Sequence, residues 1–137
     1  MKKIKLKLSA TTANLGPGFD CLGVALSLYN VFEINVVENV KDVRIEVEGE
    51  DVDLIPKDKT NHVYKAIEKV FKKVGVKIPP LEIYIKNNIP LQRGLGSSAT
   101  AYVAGLLAGN ILCGEPLSEY ELLQLAVELE GHPDNVV

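Results

Sequence analysis

A glycine-rich stretch between a strand-like run and a helix-like run constrains the fold of this chain more than any other feature. Residues 90–100 read Pro-Leu-Gln-Arg-Gly-Leu-Gly-Ser-Ser-Ala-Thr. They follow alternating apolar residues from Leu81 to Ile85 and precede an apolar run from Ser98 to Leu112. A helix start presents unpaired backbone N–H groups and the positive end of the helix dipole, which together favour an anion. The stretch therefore predicts either a phosphate-binding loop or a plain strand–helix turn capped by serine.

Two familiar phosphate-binding motifs do not fit this stretch. A Walker A loop requires a lysine directly after its last glycine, and no lysine follows Gly96. The dinucleotide-binding fingerprint requires a third glycine at the position where Ala99 stands. The choice between a phosphate loop and a turn thus depends on the rest of the chain.

Composition narrows the possible classes of protein. The chain has 137 residues, 47% hydrophobic and 24% charged, which is typical of one globular domain. Its net charge of −3 argues against a nucleic-acid-binding surface. No apolar run approaches the roughly 18 residues of a membrane span, and the Lys-alternating start lacks the apolar region of a signal peptide. Cys21 and Cys113 have no metal-ligand spacing and predict two reduced thiols in a cytoplasmic protein.

Hydrophobic periodicity predicts mostly strands first and helices later. Apolar residues alternate in segments 4–8, 29–38, 43–47 and 81–85, and the segments 61–74, 98–112 and 118–130 read as helices. Thr60 or Asn61 is expected to cap the first helix, and Gly75 to end it. Ser118 and Glu121 form a capping box for the third helix. This order favours an α+β layered fold.

A polar loop is predicted over residues 11–20, where Asn14 and Asp20 stand among apolar and turn-forming residues. One interpretation is a structural turn in which both side chains bond to local backbone. The other is a substrate loop in which Asp20 accepts a hydrogen bond from an ammonium or hydroxyl group.

The last predicted helix runs into the segment Glu-Leu-Glu-Gly-His-Pro-Asp-Asn. Glu128 or Glu130 could supply a carboxylate to Mg²⁺, with Ser98 supplying a hydroxyl, because Mg²⁺ prefers oxygen ligands. A solvated helix face is the alternative for either glutamate. His132 and Asn135 could instead cap the end of the helix.

Three segments, 13–20, 90–99 and 130–136, resemble in order and approximate spacing those of the homoserine kinase family, within the GHMP superfamily of small-molecule kinases. The Gly-Leu-Gly-Ser-Ser stretch is shared across the superfamily. The Ala-Asn-Leu-Gly-Pro-Gly-Phe-Asp loop and the His-Pro-Asp-Asn segment are closer to homoserine kinases than to mevalonate or galactose kinases. The resemblance extends over the whole chain.

The resemblance implies a fold and a reaction. The fold is α+β, the GHMP-kinase N-terminal domain of the ribosomal protein S5 domain 2-like type, with strands and then helices packed on a mixed sheet. The reaction is ATP- and Mg²⁺-dependent phosphorylation of the side-chain hydroxyl of L-homoserine to O-phospho-L-homoserine, in threonine biosynthesis, by a cytoplasmic homodimer. The alternatives are another GHMP kinase with a different alcohol, a nucleotide-binding module without catalysis, and a structural domain without nucleotide.

The resemblance also assigns ATP-binding and metal-binding residues. The loop that wraps the ATP phosphates is matched by Pro90, Leu91, Gln92, Arg93, Gly94, Leu95, Gly96, Ser97, Ser98, Ala99 and Thr100. Asn61 matches the region that holds adenine. Ser98 and Glu128 match the Mg²⁺ ligands, and Glu128 is preferred to Glu130 because related kinases place this glutamate one helical turn before the histidine.

On the acceptor side, the positions that line the homoserine site are matched by Asn14, Asp20, His132 and Asn135. Asn135 stands near the general base of some GHMP kinases, but an amide cannot accept a proton at neutral pH. The rate enhancement is therefore expected to come mostly from loop amides and Mg²⁺, held by Ser98 and Glu128, through electrostatic stabilisation.

The chain is shorter than the family pattern. Members of the family are roughly twice as long and carry a second domain with further substrate ligands. The resemblance therefore implies that residues 1–137 are a truncated N-terminal ATP-binding domain, which alone turns over little or no substrate.

Overall fold

A mixed β-sheet covered by helices makes up the part of the chain that this computed structural model describes, residues 3–9, 29–88 and 97–130. The strands are β1 (Lys3–Ser9), β2 (Tyr29–Val36), β3 (Val43–Gly49) and β4 (Leu81–Asn87), and the α-helices are α1 (His62–Val74), α2 (Ser97–Leu112) and α3 (Glu119–Glu130). Periodicity predicted all of these elements to within a few residues. One turn of 3₁₀ helix, Val52–Leu54, lies between β3 and α1.

The strands are ordered β1-β2-β4-β3 in the sheet. β2 is antiparallel to both of its neighbours, whereas β3 runs parallel to β4. The register aligns four buried isoleucines in one row across the sheet, namely Ile4, Ile34, Ile83 and Ile45. Because strand side chains alternate between faces, this row marks the face against which the helices pack. The predicted α+β arrangement on a mixed sheet is confirmed.

Local signals at both ends of α1 explain where it begins and ends. The Asn61 side-chain oxygen accepts a hydrogen bond from the Val63 N–H at 2.8 Å, which satisfies one unpaired donor of the first turn. Gly75 adopts a φ of 86°, and its N–H donates to the carbonyl oxygen of Phe71 at 2.9 Å. Of the two predicted caps, Thr60 and Asn61, the structure selects Asn61.

The backbones of α1 and α2 approach closely at two glycines of α2. A Cβ atom on Gly105 would stand 2.4 Å from the carbonyl oxygen of Val63. A Cβ atom on Gly109 would stand 3.0 Å from the Cβ of Val70. Both contacts advance in the same chain direction, so the helices run parallel with their N-termini at the same end. The Ala- and Gly-rich sequence of α2 therefore allows it to pack closely on α1.

The last helix, α3, packs on the layer formed by α1 and α2. The capping box at its start is confirmed, because the Ser118 hydroxyl accepts from the Glu121 N–H at 3.2 Å and a Glu121 carboxylate oxygen accepts from the Ser118 N–H at 3.0 Å. The hydrogen bonds that the Glu121 carboxylate accepts from Ser118, first from its backbone N–H and then from its hydroxyl, lower the pKa of Glu121. A second apolar cluster joins α3 to the other helices through Ala66, Val70, Leu106, Leu125 and Ala126. Among the described residues, no helix is both long enough and apolar enough to span a bilayer.

Candidate functional site

A cavity of about 60 Å³ lies where the starts of α1 and α2 meet the start of β2 and the end of β4. Its walls combine apolar side chains with buried amides, contributed by Asn30, Phe32, Leu54, Ile55, Pro56, Asn61, His62, Ile85, Asn87 and Ala101. Apolar walls with a few fixed polar groups are typical of small-molecule sites. The cavity also adjoins both flanks of the glycine-rich stretch, because β4 ends just before that stretch and α2 begins within it.

Asn61 both caps α1 and lines this cavity. Its side-chain nitrogen donates to the carbonyl oxygen of Pro56 at 2.7 Å, while its oxygen caps the helix. The residue is 1% exposed, so both bonds are shielded from water. The sequence placed Asn61 in the adenine region, and the structure places it in the cavity wall.

Asn87 is a wall residue that sequence reasoning did not identify. Its side-chain nitrogen donates to the carbonyl oxygen of Glu50 at 2.8 Å, which joins the ends of β3 and β4. The backbones meet closely there, because a Cβ atom on Gly49 would stand 2.2 Å from the Asn87 carbonyl oxygen. Two successive asparagines at the end of a predicted strand were the available signal.

Thr100 is fully buried in the first turn of α2 and accepts a hydrogen bond from the Asn30 side-chain nitrogen at 3.2 Å. The Asn30 oxygen accepts from the Asn88 N–H at 2.8 Å. Thr100 belongs to the predicted ATP-binding set, whereas Asn30 and Asn88 were not predicted. No local pattern indicates this contact, because Asn30 and Thr100 are 70 residues apart in sequence.

An aromatic pair joins α1 to α2 beside the cavity. The rings of His62 and Tyr102 stack with centroids 4.5 Å apart. Burial lowers the pKa of His62, and the charge of Lys65 lowers it further. Burial raises the pKa of Tyr102, and the carboxylate of Glu130 adds to that rise. Glu130 therefore lies close enough to Tyr102 to act on it electrostatically.

The two candidate metal-binding glutamates face different surroundings. Glu128 is exposed and forms an ion pair with Lys69 at 3.0 Å. Lys69 lies seven residues after His62 in α1, about 10 Å farther along the helix than the stacked rings. Glu130 instead interacts with Tyr102, which follows Ser98 by one helical turn. Glu128 and Glu130 thus have different neighbours, Lys69 of α1 and Tyr102 of α2.

Over residues 3–9, 29–88 and 97–130, no three His, Cys, Asp or Glu side chains come together as a metal cluster. Mg²⁺ does not require one, because it commonly takes one or two carboxylates together with substrate phosphates. A hydroxyl and one carboxylate near the start of α2 would fit that chemistry.

Several predicted site residues lie outside the described residues. These are Asn14, Asp20, Pro90, Leu91, Gln92, Arg93, Gly94, Leu95, Gly96, His132 and Asn135. The backbone of Ser97, Ser98 and Ala99 forms the first turn of α2. The prediction that a helix begins at the serine pair is confirmed.

Comparison with known proteins identifies relatives of the chain. Residues 61–137 match the family described as GHMP kinases N terminal domain. Homoserine kinase of Carboxydothermus hydrogenoformans is 54% identical over 129 residues, which are 94% of this chain and 42% of that protein. Homoserine kinase of Caldanaerobacter subterraneus is 56% identical over 134 residues, 97% of this chain and 42% of that protein. The chain spans less than half the length of these curated relatives.

Solved structures agree with this assignment. A crystal structure of homoserine kinase from Cytophaga hutchinsonii has a TM-score of 0.62 at 33% identity, covering 74% of this chain and 32% of that one. A crystal structure of mevalonate kinase has a TM-score of 0.64 at 15% identity, covering 98% of this chain and 48% of that one. The second likeness concerns the fold alone. Together they confirm the fold expected from the sequence.

Proposed function

Because the chain belongs to the GHMP kinase family through its N-terminal domain, we propose that it forms the ATP-binding part of a kinase that phosphorylates the side-chain hydroxyl of L-homoserine. The observation that carries the proposal is the cavity between the starts of α1 and α2, beside the glycine-rich motif. Identities of 54% and 56% to proteins named homoserine kinase support the choice of acceptor. The reaction is that of the whole protein containing this chain.

The cavity is assigned to the adenine base. Phe32, Ile55 and Ile85 offer apolar walls, which suit the faces of a planar heterocycle. Asn61 and Asn87 place amide groups in the same wall, which suit its polar edge. The triphosphate then extends toward the start of α2, where the helix dipole and unpaired N–H groups favour negative charge.

Phosphoryl transfer depends on positioning and on neutralising charge more than on covalent chemistry. Mg²⁺, when bound, neutralises part of the phosphate charge. The hydroxyl of Ser98 and one glutamate of the last turn of α3 would hold it. Both glutamates stay candidates for this role: the sequence favours Glu128, which pairs with Lys69 at 3.0 Å, and Glu130 acts on Tyr102.

Two matched variants decide between the glutamates. Glu130→Gln and Glu128→Gln each remove one carboxylate charge from the same helix turn. If Glu130 binds Mg²⁺, Glu130→Gln should raise the Mg²⁺ concentration for half-maximal activity by about tenfold or more, and Glu128→Gln should leave it nearly unchanged. The reverse result would establish Glu128, and no shift in either variant would exclude both.

The acceptor side of the proposal rests on residues outside the described part of the chain. Asn14, Asp20, His132 and Asn135 are proposed to line the homoserine site, with Asp20 accepting from the substrate ammonium. Asp20→Ala should raise KM for homoserine strongly while leaving KM for ATP nearly unchanged. Equal homoserine KM values in variant and wild type would remove Asp20 from this role.

A coupled ADP-release assay on the full-length gene product tests the whole proposal. Homoserine, threonine, serine and mevalonate are compared as acceptors at saturating ATP and Mg²⁺. Activity with homoserine is the expected result, and activity with mevalonate alone would overturn it. A role in threonine biosynthesis, a cytoplasmic location and a homodimer are part of the same proposal. Sedimentation of the full-length product tests the dimer.

A further inference from the structure

A buried asparagine on β2 joins the two described flanks of the glycine-rich motif. Asn30 is 1% exposed, and its side chain contacts two elements that are distant in sequence. Its oxygen accepts from the N–H of Asn88, the residue that directly follows β4. Its nitrogen donates to the hydroxyl oxygen of Thr100 in the first turn of α2. One amide therefore uses both an acceptor and a donor to tie the two flanks to the sheet.

The geometry points to Asn30 as a positioning residue for the nucleotide phosphates, an inference that rests on the proposed function. Asn88 and Thr100 are the described residues on either side of the segment 89–96 and the serine pair. Thr100 lies in the first turn of α2, whose unpaired N–H groups would face the phosphates under the proposed function. By bonding to both Thr100 and Asn88, Asn30 fixes that helix start relative to the end of β4 before ATP arrives, which lowers the ordering cost of binding.

A buried amide at this position is costly unless it is paired, which is why an apolar residue would serve simple packing better. β2 already has an apolar core face, with Phe32 and Ile34 almost fully buried. Asn30 supplies hydrogen bonds to one motif flank on each side, which an apolar side chain cannot do.

A second buried asparagine provides a matched control at the other end of α2. Asn110 is 8% exposed and also uses both ends of its amide. Its nitrogen donates to the Leu117 carbonyl oxygen at 3.2 Å, and its oxygen accepts from the Leu117 N–H at 3.0 Å. Asn110 thus matches Asn30 in burial and bonding but lies far from the cavity.

The experiment compares Asn30→Ala with Asn110→Ala in the full-length protein. Calorimetry gives the Kd for ATP, NMR titration gives the Kd for adenosine, and urea denaturation gives the stability of each variant. Asn30→Ala should raise the ATP Kd about five- to tenfold and the adenosine Kd less than twofold. Asn110→Ala should lose similar stability and leave both Kd values within about twofold of wild type.

Adenosine separates two possible roles of Asn30, because the residue also lines the cavity. If Asn30 only contacts the base, ATP and adenosine will weaken by the same factor, and the positioning role is wrong. If Asn30→Ala affects ATP no more than Asn110→Ala does, the inference is also overturned. If the wild-type protein binds no ATP at all, the proposed function itself fails.

Thr100→Val provides a second test that keeps the shape of the side chain. It removes the hydroxyl that accepts from Asn30, so a rise of about two- to threefold in the ATP Kd is expected. Because both variants break the same bond, the double variant should bind ATP about as well as Asn30→Ala alone. Fully additive effects would show that Thr100 acts independently of Asn30 and would overturn the inference.

Discussion

The α1–α2 interface and the attachment of α3 differ in how closely their backbones approach. α1 and α2 meet at Gly105, where the carbonyl oxygen of Val63 leaves no space for a side chain. α3 is held through side chains such as Leu125 and through the exposed pair of Lys69 and Glu128. Backbone contact fixes α1 and α2 against each other, and with them the cavity walls that both carry. The glycines inside α2 thereby help to set the shape of the candidate site.

The largest effect is expected from Gly105→Ala, which tests the backbone contact directly. Alanine is the better helix former by about 1 kcal/mol, but its Cβ must displace the Val63 carbonyl, so the free energy of unfolding should fall by about 2–3 kcal/mol. Gly109→Ala meets side-chain carbons of Val70 at 3.0 and 3.2 Å and should stay within about 1 kcal/mol of wild type. Urea denaturation measures both. Equal losses of stability in Gly105→Ala and Gly109→Ala would show that the backbone contact at Gly105 is no more restrictive than the side-chain contact at Gly109.

The next largest loss of stability is expected from removing a helix cap. The α1 cap, Asn61, also lines the cavity, whereas Ser118 caps only α3. Asn61→Ala should cost about 1–2 kcal/mol of stability, because it removes the α1 cap, and it should also weaken ATP binding. Ser118→Ala removes the α3 cap, should cost about 1 kcal/mol or less, and should leave the ATP Kd unchanged. Denaturation and calorimetry on both variants check this. A loss of ATP affinity in Ser118→Ala would show that the start of α3, and not only its last turn, affects the proposed nucleotide site.

A smaller effect is expected from pH, through His62 at the α1–α2 contact. The folded protein holds the pKa of His62 below 6.5, mainly by burial and then by Lys65. The unfolded chain therefore binds this proton more readily than the folded protein does. Stability should fall as pH drops from about 6.5 through the lower folded pKa, and this contribution should be absent at higher pH. His62→Gln should flatten that part of the curve, and an unchanged slope would exclude His62 as its source.

The smallest effect is expected at the exposed ion pair that joins α1 to α3. Side chains of Lys69 and Glu128 are 37% and 56% exposed, so solvent screens their attraction. Lys69→Met and Glu128→Gln should each change stability by about 0.2–1 kcal/mol, with a coupling energy that shrinks at high salt. A double-mutant cycle measures that coupling. A coupling energy well above this range would show that the ion pair is a major contact between α1 and α3.

Sequence reasoning succeeded where the determining signal is local. Asn61 caps the start of α1 and Gly75 ends it, and Ser118 with Glu121 caps the start of α3. Each of these residues lies directly at the end of the helix that it caps. The parallel pairing of β3 with β4 could not be read in this way, because it depends on contacts across a whole intervening helix.

The residues of the candidate site also differ in whether a local sequence signal points to them. The sequence proposed Asn61 and Thr100 as site residues, and both belong to motifs or helix starts. It missed Asn30 and Asn87, whose partners Thr100 and Glu50 are 70 and 37 residues away. The asparagine pair at the end of β4 hinted at Asn87, but no local pattern indicates Asn30, so only the folded arrangement reveals its contacts.

The parallel pairing of β3 with β4 also bears on the order in which the site is assembled. Their connection must cross the sheet and contains all of α1, so residues 43–87 form one strand–helix–strand unit. That unit carries Asn61 and Asn87, both in the cavity wall. During synthesis the ribosome completes it before it adds the glycine-rich motif. Most of the wall assigned to the base thus lies on one continuous segment of the chain, which precedes the proposed phosphate-binding residues in sequence.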